Sequence, residues 1–472
     1  MSKELEKKWG LPTALSMVMG IVIGSGIFFK AVKVLSITQG NMSQALLIVG
    51  SVGLICIICS NVFAQMGRRY SSCNGLVDYA EKACGKKYAY FVGFFTSTIY
   101  NPVIAATLSY IGAAYFCMMC GIEMYGQANT GFAILFMFII IVMNMLAPKL
   151  AGKFQVGTTV IKLTPIILMA FIGVIVGLIN GNGIKIFTDA QTSASGKDLF
   201  AGICAFAFAY EGWISATTIN TELKNPKRDL PLALTIGCIG CTLLYMLYIY
   251  SMSATLSAAE IIAAGDNLPK IAFTNMFGNI AGSLILGIIV ISCLGTANGM
   301  TMSTMRGFYS LAIRGSGPKP DAIADVDDIT GMPLKSCIIG IGLMGFWLFQ
   351  ISTLCFQGPL VFNGTHNPEW LLAWEADEIC IITLYALYIP IFVNVIRKEK
   401  TFNIFNRYIL PSLAIIASLF MCYCAYFAYG KQIIYYLIFF IILEGIGMYY
   451  YKERKKIFIF KRHQKKQKNA SN

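Results

Sequence analysis

Met19-Gly20-Ile21-Val22-Ile23-Gly24-Ser25-Gly26-Ile27-Phe28 lies inside a run, Leu11 to Phe29, that carries no charge. A bilayer core of ~30 Å is crossed by about 20 apolar residues wound as a helix, which satisfies its own backbone N–H and C=O groups. The run is long enough to span, yet it gathers three glycines and a serine near its middle. Each glycine weakens a helix by about 1 kcal/mol. Two readings stand: a close helix–helix contact through small residues, or a local break. A break in lipid survives only where it lines a cavity or meets a ligand. The amides freed at the start of the second half-helix would then suit a carboxylate.

Long uncharged runs recur outward from this one, among them Tyr88 to Ile122, Leu230 to Ala259, Ile271 to Met305 and Ile379 to Ile396. The chain is 57% hydrophobic and only 13% charged, with a mean hydropathy of +0.66. Soluble domains carry roughly 25% charged residues, so a soluble fold is excluded. Barrel strands are short and alternate apolar with polar, so the spans are helices. Hydropathy places about twelve, near 11–32, 42–66, 88–118, 130–147, 154–180, 199–219, 231–256, 278–312, 335–356, 376–396, 407–429 and 432–451. Of the 37 Lys and Arg residues, 29 then fall on the side of the N-terminus. Six (Lys30, Lys33, Lys185, Lys197, Lys270 and Lys431) fall on the other. Basic loops stay in the cytoplasm, so both termini are expected there, with the chain multi-pass in the cell (plasma) membrane. Met1 to Gly10 is short and charged and no Ala-x-Ala site follows the first run, so the first span is expected to act as an uncleaved signal.

The net charge of +14 is concentrated in the tail Lys452 to Lys468. Beside a membrane this reads as attraction to anionic lipid rather than to nucleic acid. Cys56/Cys59, Cys117/Cys120 and Cys238/Cys241 have the Cys-x-x-Cys spacing of metal and redox sites. A structural zinc needs four ligands and the chain has two His, so these read as polarisable packing residues. No metal or cofactor is expected. No Walker loop, HExxH pair or GxSxG elbow is present, which leaves an ATP-driven pump or a membrane hydrolase without support.

The sixth run repeats the pattern of the first. Phe206-Ala207-Phe208-Ala209-Tyr210-Glu211-Gly212-Trp213 sets an acid beside glycine among aromatics, and leaves the membrane through a polar turn ending in Leu230-Pro231. An ionisable group in a span is costly and marks function. Interruptions in the first and sixth spans occupy matching places in two five-helix halves, as in inverted-repeat carriers.

These residues resemble a known family. Gly24-Ser25-Gly26-Ile27-Phe28 is similar to the GSGIF signature of the amino acid–polyamine–organocation superfamily. Phe208-Ala209-Tyr210-Glu211-Gly212-Trp213, with Glu222-Leu223-Lys224-Asn225-Pro226, is similar to the L-type amino-acid transporter branch and resembles the bacterial serine/threonine exchangers of that branch. Gly67-Arg68-Arg69-Tyr70 and Ser292-Cys293-Leu294-Gly295-Thr296-Ala297-Asn298-Gly299 extend the likeness, which covers 11 to about 315 by motif and the rest by hydropathy. The resemblance implies an all-α integral membrane protein with a leucine-transporter-like 5+5 inverted repeat plus two C-terminal helices. The halves would span 11–180 and 199–396, between a cytoplasmic N-terminus at 1–10 and helices 11 and 12 at 407–451, with a basic cytoplasmic tail at 452–472.

The function implied is secondary amino-acid transport, as a sodium-independent exchanger of neutral amino acids by alternating access. A proton-coupled or cationic amino-acid/polyamine antiporter is one alternative, and a sensor that binds amino acids without net transport is another. By the resemblance, the substrate carboxylate sits on amides of Ser25, Gly26 and Ile27, helped by the Ser25 hydroxyl. Its ammonium meets carbonyls of Val22 or Ile23 and of Phe208, Ala209 and Glu211, and Phe208 is the closing aromatic. Glu211 departs from the glycine of some L-type members. It is open to three readings: proton carrier, partner of a cationic substrate, or structural acceptor. Lys162 of the fifth span and Ser292 of the eighth fall where sodium-coupled relatives hold sodium, and a fixed ammonium replaces the ion's charge. Some relatives pair with a single-span glycoprotein through a cysteine outside the fourth helix. Gly121 to Thr130 has no cysteine, so a stand-alone subunit is expected. His366, Glu369, Trp370, Trp374, Glu375, Asp377 and Glu378 crowd the loop before the tenth span. They read as an interfacial acidic loop with tryptophan anchors, or as a substrate-attracting vestibule.

Overall fold

The computed structural model describes residues 10–70, 73, 75–188, 194–327, 331–355 and 374–451. His366, Glu369 and Trp370 lie outside the described residues, as do the tail and the first nine positions. Among the described residues the regular structure is helical. The first crossing is split: α1 (Leu11–Val22) and α2 (Gly26–Ile37) meet at a bend of 48°. It runs five residues past the expected end at 32. Then follow α3 (Met42–Arg69), the short α4 (Leu76–Cys84), and α5 (Lys86–Phe95) with α6 (Asn101–Met119), which together form one span from Lys86 to Met119. α7 (Gln127–Leu146), α8 (Pro148–Ile179) and the short α9 (Asn182–Thr188) complete the first half.

The second half repeats the design. α10 (Gly196–Ala207) is only 12 residues long and passes into two 3-10 segments, Phe208–Tyr210 and Trp213–Glu222. At 1.5 Å per residue α10 covers roughly 18 Å, and a 3-10 segment of this length adds roughly 20 Å. Their summed length matches a bilayer core although neither does alone. α11 (Pro226–Ser253), the short α12 (Ala258–Ala264) and α13 (Leu268–Phe277), α14 (Asn279–Ile313), the short α15 (Pro320–Ile323), α16 (Leu334–Cys355) and α17 (Ala376–Lys398) follow, then α18 (Leu410–Tyr429) and α19 (Lys431–Tyr449). Ten of these elements are long and apolar enough to span, eleven with the bent pair. The split segment from Gly196 to Glu222 has, by summed length, the reach of one further crossing.

Packing joins the halves at matching places. The second span, α3, lies along the seventh, α11, and the third, α6, along the eighth, α14. These are the pairings that an inverted repeat brings together around its axis. In lipid the hydrophobic effect does not hold helices together, so small residues set the approach. A Cβ on Gly173 of α8 would lie 2.3 Å from Cβ of Ser251 on α11, and one on Gly295 of α14 would lie 2.2 Å from Oγ1 of Thr158 on α8. Asn298 staples three helices: it accepts from Asn144 Nδ2 at 2.7 Å and donates to Ala151 O and Gln155 Oε1, both at 3.1 Å.

Two readings of the charges are corrected. Lys30 and Lys33, counted with the outer loops, belong to α2, and Lys30 is buried. Asp377 and Glu378 are not an interfacial loop: both are buried in the first turn of α17, and Trp374 is buried before them. Hydropathy assigns a charge next to an apolar run to water, and misses that these charges of opposite sign neutralise one another inside the bundle.

Candidate binding site

The first break has a local cause. Ile23 leaves the helix with ψ of 79°, and the Gly24 amide turns back onto Val22 O at 2.7 Å. α2 then starts afresh at Gly26, and the first amides of any helix lack an intrahelical acceptor. The second break falls at Glu211, whose backbone is extended, and Gly212, whose φ of +110° suits glycine. The breaks touch. A Cβ on Gly26 would lie 2.9 Å from Cδ1 of Phe208 and 3.1 Å from Cα of Ala209, and one on Gly212 would lie 2.7 Å from Cγ2 of Ile21.

Between them is a cavity of about 550 Å³, within the range of small-molecule sites. Val22, Gly24, Ser25 and Gly26 line it from the first break; Phe208, Ala209, Glu211 and Gly212 line it from the second. α6 contributes Asn101, Ile104 and Leu108, and α14 contributes Thr296, Gly299 and Met300. Ile23, Ile27 and Ser292 are buried but lie outside its lining. The lining continues along α1 to Thr13 and exposed Ser16, and along α14 to exposed Ser303. The cavity therefore opens toward the end of the bundle where α1 begins. At the opposite end Phe208 closes it, with its ring centroid 5.5 Å from that of Phe29.

Three polar side chains define its chemistry. Glu211 accepts from the Tyr100 hydroxyl at 2.7 Å through Oε1, while its buried Oε2 has no hydrogen-bond partner among the described residues. Tyr100 ends a π-helical turn, Thr96–Tyr100, that re-aims the chain just before Asn101. Lys162 is 3% exposed and lines the cavity without an ion pair or hydrogen bond among the described residues. Burying a bare ammonium is costly, and the open side of this one is the cavity it lines. The turn before it packs on both neighbours of the break: Thr159 Cγ2 would lie 3.2 Å from a Cβ on Gly20, and Thr158 meets Gly295.

Tyr245 of α11, which the sequence did not single out, ties the breaks together. Its hydroxyl is 2.8 Å from Val22 O and 2.9 Å from Ala209 O. A phenol has one proton, so it serves one carbonyl at a time, and Val22 O keeps the Gly24 amide at 2.7 Å when the proton turns to Ala209 O. Tyr245→Phe removes this donor from Ala209 O, at about 1–3 kcal/mol for a buried acceptor left unsatisfied, while Val22 O keeps the Gly24 amide. The expected result is roughly a tenfold rise in the transport KM at unchanged protein level, read from initial rates in proteoliposomes. An unchanged KM would show that the tie is idle.

A twelve-span bundle with two facing helix breaks around a membrane-buried cavity defines a carrier of the leucine-transporter-like 5+5 inverted-repeat class with two C-terminal helices. Over residues 10–448 the sequence matches the amino acid permease family, and the chain belongs to it. It is 29% identical over 428 residues to the serine/threonine exchanger SteT of Bacillus subtilis (strain 168), covering 88% of this chain and 90% of that one. It is 26% identical over 427 residues to b(0,+)-type amino acid transporter 1 of Homo sapiens, covering 88% and 82%. In shape it is similar to the crystal structure of MhsT in complex with L-phenylalanine, with a TM-score of 0.58 at 16% identity, covering 89% of this chain and 99% of that one. The family and these relatives make the chain a membrane protein of amino-acid transport.

Proposed function

We propose that the chain is a sodium-independent exchanger of neutral amino acids that works by alternating access. The observation that carries this reading is the pair of touching breaks, whose residues Val22, Ser25, Gly26, Phe208 and Ala209 line one cavity beside a buried Lys162. Such a site holds the carboxylate and ammonium common to all amino acids by main-chain groups, and leaves selectivity to the α6 and α14 faces. Lys162 supplies a fixed positive charge where a coupling ion would otherwise be needed. The excess of Lys and Arg on the side of the N-terminus favours both termini in the cytoplasm, with the cavity open inward, in the plasma membrane and as a stand-alone subunit.

Proteoliposomes loaded with unlabelled serine, threonine or leucine test this directly. Labelled substrate is expected to enter by counterflow, to require internal substrate, and to be unaffected when choline replaces sodium. Binding without counterflow would make the chain a sensor, and uptake lost in choline would reject sodium independence.

The free Oε2 of Glu211 favours a second reading, a proton or a cationic side chain at that oxygen. On the neutral-exchanger reading, Glu211→Gln keeps the Tyr100 contact and changes neutral exchange by less than about fivefold, the scale of one hydrogen bond, with the same pH profile. A lost pH dependence, or lost inhibition by arginine, would establish the second reading instead.

A further inference from the structure

The fifth span, α8, has a second cavity on its other side. This groove, of about 500 Å³, lies on the lipid face of the bundle, between Val160, Ile161 and Leu168 of α8, Phe273 and Phe277 of α13, and the first turns of α14 from Ala281 to Ile288. It follows α8 from Val160 to Leu168, roughly 12 Å at 1.5 Å per residue, against ~15 Å for one leaflet of a ~30 Å core. The groove therefore runs the depth of one leaflet. Its deep end is level with the binding cavity, because Val160 lines both. Its mouth lies where α14 begins, at the end of the bundle opposite the start of α1.

The lining suits a hydrocarbon chain. Among the described residues that form it, Thr164 is the one polar side chain, and its hydroxyl already donates to Val160 O at 3.1 Å. A polar ligand would lose its hydration there and gain no bond. Val160 is 65% exposed and Leu284 61%, so the walls open sideways to the bilayer. A charge marks the mouth. Lys270 is exposed, and Phe273 and Phe277 follow it at three and seven residues, the spacing of one helix face. Its backbone is level with the first turn of α14: a Cβ on Gly282 would lie 2.9 Å from Lys270 O. This wall is also the loosest part of α8. Pro165 has no amide to give to Ile161 O, so the helix lacks one bond beside the groove. Lys162 sits on the same turn and faces the binding cavity.

We propose that this groove is a lipid site. It holds one acyl chain of a phospholipid whose anionic headgroup meets Lys270, and the chain braces the Pro165 turn that carries Lys162. Such a lipid differs from those that merely surround the bundle in being selected by charge at one place.

Quenching of tryptophan by brominated lipid tests this without transport. Leu284→Trp is reconstituted in vesicles of dibrominated phosphatidylcholine diluted with plain phosphatidylcholine or plain phosphatidylglycerol, and the signal of the native chain is subtracted. The relief of quenching gives the relative affinity of each lipid at position 284. Ile441→Trp, on the lipid-exposed face of α19, reports the surrounding lipid. At 284 phosphatidylglycerol is expected to be preferred about fivefold, the scale of one lysine acting on an anionic headgroup. At 441 the two lipids are expected to compete equally. Lys270→Gln is expected to abolish the preference at 284, and Ala281→Phe, which fills the mouth, to abolish it with Lys270 in place. Equal competition at both positions, or a preference at 284 that survives Lys270→Gln, would overturn the proposal. So would an unquenched 284 beside a normally quenched 441, because the groove would then be covered by protein. If Leu284→Trp fails to insert, Phe277→Trp gives the same reading.

Discussion

Gly26→Ala is expected to lower counterflow about thirtyfold while the protein still inserts at its normal level. The added Cβ would lie 2.9 Å from Cδ1 of Phe208 and 3.1 Å from Cα of Ala209. A side chain can swing aside, but Cα of Ala209 is backbone at the start of the second break. The two breaks must separate by a few tenths of an ångström, and overpacking of this kind costs about 1–3 kcal/mol. At 1.4 kcal/mol per decade that is roughly 5- to 150-fold in whatever state needs the breaks in contact. That state is the one with Phe208 over the cavity, so the loss appears in transport before it appears in stability. Gly212→Ala adds the strain of a positive φ to its clash with Ile21, and is expected to be at least as severe. Normal exchange by Gly26→Ala, with protein level confirmed on a blot, would mean that the breaks separate freely and that their contact does not gate the site.

The glycines that make this prediction were visible in the sequence, because a break inside an apolar run has a compositional signature. So were the spans, the two interrupted helices, Glu211 and Lys162, each an irregularity against a uniform background. The partners of these irregularities were not visible. Tyr245 and Tyr100 sit in apolar runs where a tyrosine is unremarkable, and only the fold shows that one bridges Val22 to Ala209 while the other holds Glu211. Lys30 and Asp377 are 347 positions apart. Each alone looks like a charge at a membrane surface, and their burial follows from their meeting. Glu444 was missed for the opposite reason: one acid in an otherwise strong span does not disturb hydropathy, yet it is buried against the bundle. Sequence periodicity reports how a residue departs from its neighbours along the chain. It is blind to compensation across the fold, and the buried cluster of Lys30, Asp377 and Glu378 is built entirely from such compensation.

Lys162→Met carries the other large effect, and it separates coupling from architecture. Methionine keeps the length and apolar stem of lysine and removes only the charge, so Thr158 and Thr159 stay packed on Gly295 and Gly20. What is lost is a buried ammonium with no protein partner among the described residues, facing the cavity between the fifth span and the first break. If that ammonium takes the place of a coupling cation, its removal leaves the break without the positive charge that offsets a bound carboxylate and steadies the freed carbonyls. A charged hydrogen bond is worth about 1.5–3 kcal/mol, which corresponds to roughly 10- to 150-fold. Exchange by Lys162→Met is expected to fall by about a hundredfold. Lys162→Arg is expected to recover little, because a planar guanidinium neither fits nor hydrates as a point charge does. The native chain, by contrast, is expected to exchange at the same rate in sodium and in choline. If Lys162→Met exchanges normally, the ammonium is a solvated bystander of the open cavity and sodium independence needs another cause. If the native chain stops in choline, an ion binds in addition to the lysine, and the charge balance of the site must be rebuilt around it.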